Sequence, residues 1–429
     1  MPKIALIGAG SVAFARRLLG DLLCMDDVTP AHIALMDVDE DRLALVSKLA
    51  QRLISQQGVG TELLATTDPR EALDGADYVI MSIRVGGWEP RPHDLGIPLK
   101  YGIDQAVGDT IGPGGIFQGL RNAPALLEIA DRMREVCPEA LIIQHSNPMA
   151  INCWLMSVAR PEIAHVGLCH SVQGTSKQLA GYMDVPREEL DHWVAGINHM
   201  AWFLRLERDG EDLYPLLREK MADADIYARD SVRFEILRHF GYFVTESSHH
   251  MSEYVPYFRR TPELMEQFSL KPRDMQAMSS RWEQYAGRLE EELEGPEPLK
   301  IERTHEYTAD IIEAMETDRP CRVNVTVPNT GLIANLPEGC AVEVPCTVDG
   351  LGVHPCFVGD LPPQCAALNE ANVRSQELAV MGALDGDHEA VHRAVMLDPL
   401  TSAVLPLAGI REMVDEIFEA QKRWLPQFA

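Results

Sequence analysis

The sequence predicts an α/β protein, and its first 170 residues carry the observations that predict a doubly wound parallel sheet. Short apolar segments there alternate with segments of helical periodicity, and five of them are strand candidates: 3–7, 33–36, 78–83, 141–145 and 165–168. Apolar strands without polar alternation are typical of parallel sheets whose two faces are covered by helices. The later residues mix helical segments with a group of strands within 323–358, which predicts an α+β part. We therefore expect two domains, 1–170 and 171–429.

The first predicted strand runs into a glycine-rich turn at the start of a helical segment. Gly8 permits a tight turn because it has no Cβ atom, and Gly10 would allow a pyrophosphate to contact the backbone at the helix N-terminus. The second predicted strand ends at Asp37, where a carboxylate can bind the ribose hydroxyls and favours NAD over NADP. We therefore predict a Rossmann-type NAD site formed by Gly8, Gly10, Ser11, Val12 and Asp37. An ordinary turn between a strand and a helix, without a nucleotide, is the alternative.

The composition argues against several classes of partner. The 429 residues carry a formal net charge of −27, which disfavours nucleic acids and anionic membrane surfaces. No apolar run reaches the roughly 18 residues that a membrane span needs. The nine cysteines include no Cys-x-x-Cys pair and no secretory leader is evident, so we expect a cytoplasmic protein with reduced thiols. These features identify no substrate.

Residues 85–115 form the least regular part of the N-terminal half. They contain eight glycines, show no clear periodicity and follow the predicted strand 78–83. Loops of this length are usually functional, so we expect this one to cover the nicotinamide side of the pocket and to carry Asp109 there. A partly ordered surface loop is the alternative.

Several residues beyond predicted strand ends could take part in catalysis. Cys169 follows the predicted strand 165–168, and His199 lies 30 residues later; thiolate and imidazole are good ligands for divalent transition metals. By spacing alone, however, a cysteine and a histidine are more often core residues. Asn147 comes after the strand 141–145 and before a proline, and it could face the nicotinamide or simply belong to a turn.

The segment 241–254 is rich in ionisable side chains. Tyr254 could act as a base if a metal or a neighbouring charge lowered its pKa from about 10. A buried tyrosine with a satisfied hydroxyl is the simpler interpretation. We expect His249 and His250 to be exposed rather than to bind a metal.

Several short motifs, spread along the whole chain, together resemble those of the NAD- and metal-dependent glycosidases of glycoside hydrolase family 4. Within that family the motifs are most similar to those of bacterial α-galactosidases. His170 follows Cys169 here, whereas the members that act on phosphosugars carry Asp or Asn after the cysteine. The matching segments are 8–11, 107–110, 146–148, 169–175, 196–199 and 241–248, followed by 335–337, 342–344 and 424–426.

The resemblance implies a fold like that of lactate and malate dehydrogenases, with bound NAD and a divalent metal such as Mn²⁺. Similar enzymes oxidise the sugar at C3, remove the C2 proton, release the leaving group from C1, add water and reduce C3 again. The resemblance also implies a role for each candidate residue: metal binding by Cys169 and His199, substrate contact by Asn147, proton removal from C2 by Tyr254 with Asp109 raising its basicity, and leaving-group protonation by His170.

The expected protein is thus an α-galactosidase that acts on a small α-glycoside and forms a homodimer or homotetramer. Another α-glycosidase of the family is the near alternative, acting on a glucoside or on a uronide whose carboxylate could bind Arg91 or a later arginine. A 2-hydroxyacid dehydrogenase belongs to a different class. Such enzymes carry a His-Gly-Asp stretch that this chain lacks.

Overall fold

The computed structural model describes residues 1–271, 281–304 and 306–429. All strands in these residues belong to one sheet. They are β1 (Lys3–Ile7), β2 (His32–Met36), β3 (Glu62–Thr66), β4 (Tyr78–Met81), β5 (Leu141–Gln144), β6 (His165–Gly167), β7 (Asp191–Ile197), β8 (Met200–Arg208), β9 (Glu211–Asp212), β10 (Cys321–Pro328), β11 (Ala341–Asp349) and β12 (Gly352–Pro355).

Helices connect the strands of the N-terminal half and flank the strand groups of the later half. The helical pattern of the sequence over 272–294 predicts a further helix, which lies partly outside the described residues. None of the described helices is long and apolar enough to cross a membrane. They are α1 (Val12–Leu23), α2 (Glu40–Gln57), α3 (Pro69–Leu73), α4 (Arg91–Lys100), α5 (Gly112–Val136), α6 (Met149–Ala159), α7 (Ser171–Met183), α8 (Tyr214–Lys220), α9 (Ala224–Arg229), α10 (Ser231–Phe240), α11 (Ser248–Tyr254), α12 (Pro262–Gln267), α13 (Arg281–Glu294), α14 (Tyr307–Thr317), α15 (Pro363–Asp385), α16 (His388–Leu397), α17 (Pro399–Val404) and α18 (Leu407–Gln421).

Strands β1 to β6 form the parallel half of the sheet. They lie in the order β3-β2-β1-β4-β5-β6, and every neighbouring pair is parallel. The central strands β1, β4 and β5 are almost entirely buried, as expected for apolar strands that are covered on both faces. The predicted doubly wound parallel sheet is therefore confirmed.

The sheet continues into the later half of the chain. β10 pairs with β6, and β11, β7, β8 and β9 follow in antiparallel order. The strands predicted within 323–358 correspond to β10, β11 and β12, whereas the hairpin of β7 and β8 has no counterpart in the sequence prediction. The first four residues of β8 are all buried, so that end of the strand lacks the apolar–polar alternation that would indicate it.

One row of residues joins the two halves of the sheet. Gly167 of β6 pairs with Thr326 of β10, Thr326 pairs with Glu343 of β11, and Glu343 pairs with Gly196 of β7. A Cβ atom on Gly167 would lie 2.5 Å from the sulfur of Met149 in α6 and 3.0 Å from Cβ of Thr326. Glycine therefore allows α6 to pack directly on the junction.

Residues 85–115 are more ordered than the sequence predicts, because they contain α4 and the start of α5. Helix α4 is hard to recognise since Pro98 lies inside it and charged residues are among its buried ones. Asp94 of α4 is fully buried and accepts two hydrogen bonds of 2.8 Å from the guanidinium of Arg121 in α5. The interpretation as one long loop is wrong.

Arg91, which the sequence offered as a partner for a uronate carboxylate, faces the protein interior. Its side chain is 2% exposed, and its guanidinium donates to the carbonyls of Val107 at 2.5 Å and Gly108 at 2.8 Å. Arg91 thus supports the turn that precedes Asp109 and does not provide a cation for a ligand.

We predict that Gly167→Ala will destabilise the protein by about 1–3 kcal/mol, because the added methyl group overpacks the junction of β6, β10 and α6. Gly181→Ala in α7 is the matched control, since a Cβ atom there meets nothing within 4 Å. Urea unfolding followed by circular dichroism measures both variants. Equal stability of Gly167→Ala and the control would contradict this account of the junction.

Candidate active site

The glycine-rich turn lies at the carboxyl ends of β1 and β2. Gly8 has a φ of 85°, and its amide and that of Ala9 both donate to the carbonyl of Met36 at 2.9 Å. A Cβ atom on Gly8 would lie 2.3 Å from the carbonyl oxygen of Ser82, just beyond β4. Only glycine therefore fits at this position of the turn.

Asp37 faces the same turn from the end of β2. Its Oδ2 accepts the amide of Gly10 at 2.7 Å, and its Oδ1 accepts the amide of Asp39 at 3.0 Å. Ser11 is exposed and makes no side-chain capping bond at the start of α1, while Val12 is buried. The first amides of α1 thus lack a side-chain cap, which fits an anion bound at this helix N-terminus.

Asn147 lies beyond β5, at the same edge of the sheet. Its backbone carbonyl accepts hydrogen bonds from Gln118 Nε2 at 2.7 Å and from Asn122 Nδ2 at 3.0 Å. The side chain of Asn147 is half-buried. The structure therefore holds the backbone of Asn147 firmly, while a contact of its side chain with the substrate stays a prediction.

Cys169 and His199 come into contact although 30 residues separate them. Cys169 Sγ lies 3.0 Å from His199 Nε2. Burial, assisted by His250, lowers the pKa of His199 to about 3, so its imidazole is neutral. Burial, assisted by the charge of Glu343, raises the pKa of the Cys169 thiol, so a nearby cation is needed to stabilise the thiolate.

The pair fits a divalent transition metal by its chemistry, because thiolate and neutral imidazole are both ligands of such ions. Among the described residues no group of three or more His, Cys, Asp and Glu side chains is placed to hold a metal. Cys169 and His199 would therefore be the two protein ligands. The other coordination positions would stay open for substrate or water, as in catalytic metal sites.

His250 is buried and not exposed, which corrects the sequence prediction. Its Nε2 lies 3.2 Å from His199 Nδ1 and 2.9 Å from Thr110 Oγ1, and its Nδ1 lies 3.0 Å from Glu246 Oε2. Burial alone would lower the pKa of His250, but Glu246 raises it to about 9. His249 is exposed as expected. No local pattern indicates the pair of Glu246 and His250, because Glu246 lies before α11 with a φ of 87°, where the spacing rules of a helix do not apply.

Asp109 is only 9% exposed and lies beside an arginine that the sequence analysis missed. Its Oδ2 is 3.3 Å from Nη2 of Arg84. Burial raises the pKa of Asp109, but Arg84 and Arg91 outweigh this and lower it, so the carboxylate is charged. Arg84 Nη1 also donates at 3.3 Å to Gln118, which holds the backbone of Asn147. Arg84 thereby links two predicted site residues.

Tyr254 ends α11, one turn after His250, and is 2% exposed. The two ring centroids are 5.8 Å apart. Burial raises the pKa of Tyr254, a hydrogen bond with Thr110 lowers it, and the charges of Glu253 and Asp109 raise it further. Asp109 thus acts in the direction that the resemblance implies, by making the phenolate more basic.

His170 directly follows Cys169, and its side chain is 67% exposed. Its Nδ1 lies 3.7 Å from Oε1 of Glu306. Burial raises the pKa of Glu306, whereas His170 lowers it. An exposed imidazole at the entrance of a site can exchange its proton with solvent, which suits a group that protonates a leaving group.

Comparison with known families identifies both halves of the chain. The model described as family 4 glycosyl hydrolase matches residues 3–185, and the one described as family 4 glycosyl hydrolase C-terminal domain matches 194–401. The chain belongs to glycosyl hydrolase family 4. An α-galactosidase of Bacillus subtilis (strain 168) is 40% identical to this family-4 hydrolase, with all of both chains aligned. An α-galactosidase of Rhizobium meliloti (strain 1021) is 36% identical over all of this chain and 90% of the relative.

Solved structures show the same fold. A 6-phospho-α-glucosidase from gut microorganisms, in complex with NAD and Mn²⁺, has a TM-score of 0.86 at 23% identity over the full length of both chains. Malate dehydrogenase from Plasmodium falciparum, in complex with NADH, has a TM-score of 0.54 at 16% identity, with 91% of this chain and 100% of that chain covered. The expected likeness to malate dehydrogenase is confirmed for the fold, while family membership makes the chain a glycoside hydrolase and not a hydroxyacid dehydrogenase.

We predict that Cys169→Ser will weaken the binding of Mn²⁺ to this family-4 hydrolase by more than about tenfold, because a hydroxyl is a much poorer ligand than a thiolate. Mutating a residue that only hydrogen-bonds to a metal ligand already lowers metal affinity by about 10–100-fold, and a direct ligand should matter at least as much. NAD affinity should stay unchanged, since Gly8, Gly10 and Asp37 are untouched. Equilibrium dialysis and calorimetry measure the two affinities. Cys356→Ser, at a half-buried cysteine away from these contacts, is the control; metal loss in both variants would contradict the assignment.

Proposed function

We propose that this family-4 hydrolase is an α-galactosidase that works with bound NAD and a divalent metal such as Mn²⁺. Two relatives named α-galactosidase align with it over its whole length at 40% and 36% identity. The observation that carries the proposal is the contact of Cys169 with His199 at the sheet edge that also bears the dinucleotide turn. A glycosidase that uses two carboxylates needs neither feature.

The two bound groups would supply chemistry that side chains lack. NAD would take a hydride from the sugar and later return it, and the metal would polarise sugar oxygens as a Lewis acid. Gly8 and Gly10 would let the dinucleotide approach the backbone, and Asp37 would bind its ribose. Cys169 and His199 would hold the metal.

Tyr254 is the residue that we propose to remove the C2 proton. The carboxylates of Asp109 and Glu253 favour the neutral phenol, so the phenolate is a strong base when it forms. Burial at 2% exposure excludes water from the phenolic group and strengthens these charge effects. The positive charge of a metal held by Cys169 and His199 would lower the pKa of Tyr254 and bring it closer to neutral pH.

Asn147 and His170 complete the proposed set. The half-buried amide of Asn147 can donate to and accept from hydroxyl groups, which suits a residue that orients the sugar ring. His170 is the exposed member of the set, so a leaving group that departs toward solvent would meet its imidazole. Solvent can then restore the proton that His170 donates.

The cellular context and assembly belong to the same proposal. All nine cysteines are free, which supports a reducing compartment and therefore the cytoplasm. We also propose a homodimer or homotetramer, since closed symmetric assemblies are common among soluble enzymes. Exposed apolar side chains in the C-terminal helices, at Met381, Leu397 and Leu407, support an interface there. Light scattering at working concentration would show a monomeric mass if this is wrong.

The substrate prediction is tested with nitrophenyl glycosides in the presence of NAD, Mn²⁺ and a reductant. We expect the α-galactoside to be hydrolysed at least about tenfold faster than the α-glucoside or the α-galacturonide, because a sugar site with matched polar groups discriminates strongly against a misplaced hydroxyl. Preference for the galacturonide would assign the enzyme to the uronidase alternative. Net NADH formation from hydroxyacids would contradict the hydrolase assignment.

Hydrolysis in D₂O provides a second prediction. Removal of the C2 proton allows exchange with solvent, so the released sugar should carry deuterium at C2, whereas a two-carboxylate glycosidase leaves that hydrogen in place. NAD should be required but not consumed. Proton NMR of the product measures the label. An unlabelled C2, or full activity after verified removal of NAD, would refute the proposed reaction.

Tyr254→Phe should lower the rate by about 10²–10⁴-fold and suppress the C2 label to the same extent, because it removes the base and keeps the buried ring. Tyr257→Phe is the matched control, since Tyr257 is 42% exposed and lies outside the site. Normal labelling by Tyr254→Phe would assign the base to another residue.

A further inference from the structure

Two side chains extend a hydrogen-bonded series behind the predicted metal ligand His199: the buried His250 and the half-buried Glu246. His199 presents Nε2 to Cys169 Sγ at 3.0 Å and Nδ1 to His250 Nε2 at 3.2 Å. His250 in turn presents Nδ1 to Glu246 Oε2 at 3.0 Å. The exposed fractions of His199 and His250 are both 4%, so water has little access to the bond between the two imidazoles.

The series has one arrangement of protons that suits a metal ligand. An imidazole that binds a metal through Nε2 must carry its proton on Nδ1. A metal beside His199 would oppose a second positive charge on His250, so His250 would be neutral when the metal is bound. His199 would then donate from Nδ1 to His250 Nε2, and His250 would donate from its own Nδ1 to the carboxylate of Glu246. Every donor then has an acceptor, and the lone pair of His199 Nε2 faces the position beside Cys169.

We propose that His250 and Glu246 are positioning residues that hold His199 in the tautomer and ring orientation that a divalent metal requires. This inference rests on the proposed metal-dependent function and deepens it. Neither residue would contact the metal or the substrate. Their effect reaches the reaction only through the His199 ring.

The local backbone shows why the ring needs such support. His199 lies in the turn between β7 and β8 with a φ of 64°, outside any strand that would fix its side chain. The His199 and His250 ring centroids are 4.3 Å apart, with an angle of 57° between the ring planes. The contact with His250 therefore restrains both the position and the tilt of the ligand.

The two positioning residues are themselves firmly held. The amide of Glu246 donates to Thr175 Oγ1 in α7 at 3.2 Å. The hydroxyl of Ser247 donates to Glu246 Oε2 at 2.7 Å and accepts the amide of His250 at 3.2 Å, which caps α11. These bonds fix the carboxylate and the imidazole before any metal binds, so little conformational entropy is lost on binding.

The experiment compares four variants of the full chain with the wild type. His250→Leu removes the acceptor for His199 Nδ1, and His250→Gln restores an amide oxygen that can accept there. Glu246→Gln keeps the shape and removes the charge. His249→Leu, at the exposed neighbouring histidine, is the matched control. Free Mn²⁺ is measured by electron paramagnetic resonance during titration, and Co²⁺ replaces Mn²⁺ to record the thiolate-to-metal absorption band.

We expect His250→Leu to weaken Mn²⁺ binding by about 10–100-fold and to shift the Co²⁺ band, as measured for other partners of metal-bound histidines. His250→Gln should recover most of the affinity, Glu246→Gln should lie between, and His249→Leu should match the wild type. NAD affinity, measured by calorimetry, should stay constant in all variants. If His250 only stabilised the fold, His250→Leu would lower metal affinity and NAD affinity together, and His250→Gln would not restore metal affinity.

Wild-type Mn²⁺ affinity and band position in folded His250→Leu would overturn the inference while leaving the proposed function intact. Absence of Mn²⁺ binding by the wild type would instead refute the proposed function and, with it, the positioning role. If His250→Leu does not fold, as judged by circular dichroism, the variant Glu246→Gln provides the test of the positioning role. A metal affinity and a Co²⁺ spectrum equal to those of the wild type in that variant would contradict the role of the pair.

Discussion

The pairing of β6 with β10 is the constraint on which the rest of the structure depends. It extends the parallel sheet of the N-terminal half into the antiparallel strands of the later half, through a single row in which Gly167, Thr326, Glu343 and Gly196 are neighbours. Cys169 lies two residues after Gly167, and His199, whose imidazole it contacts, lies three residues after Gly196. A side chain on Gly167 would push α6 and β10 apart, and the thiol would lose its place beside the imidazole.

Buried charge is the second organising feature. The site contains the carboxylates of Asp109 and Glu246 and a histidine whose pKa is raised, all close to a neutral imidazole and a thiol. Isolated charges in such an environment would be costly, and each is offset here by a partner of opposite sign. Arg84 offsets Asp109, and His250 offsets Glu246. The low dielectric of the same environment makes every charge effective on a bound sugar.

The short helix α11 combines several tasks in seven residues. His250 supports the predicted ligand, and Tyr254 presents the proposed base one turn later. Between them, Glu253 accepts the amide of Gly108 at 3.0 Å and also that of Val107, so it holds the turn that carries Asp109. A single rigid element thereby sets the distance between base, charge and ligand. Precision of this kind is what catalysis by several side chains requires.

The sequence by itself determined the features that depend on neighbours along the chain. The tight turn at Gly8 and the carboxylate of Asp37 follow from local rules of strand, turn and helix, and the apolar runs predict the parallel sheet because both of its faces are covered. Only the tertiary structure decided the burial of His250, the helix α4 around Pro98 and the hairpin of β7 and β8. A local pattern could not reveal these, because polar residues such as Asp94 and His250 enter the interior with partners that are distant in sequence. His250 reads as a surface residue until His199, about fifty positions earlier, contacts it at 3.2 Å.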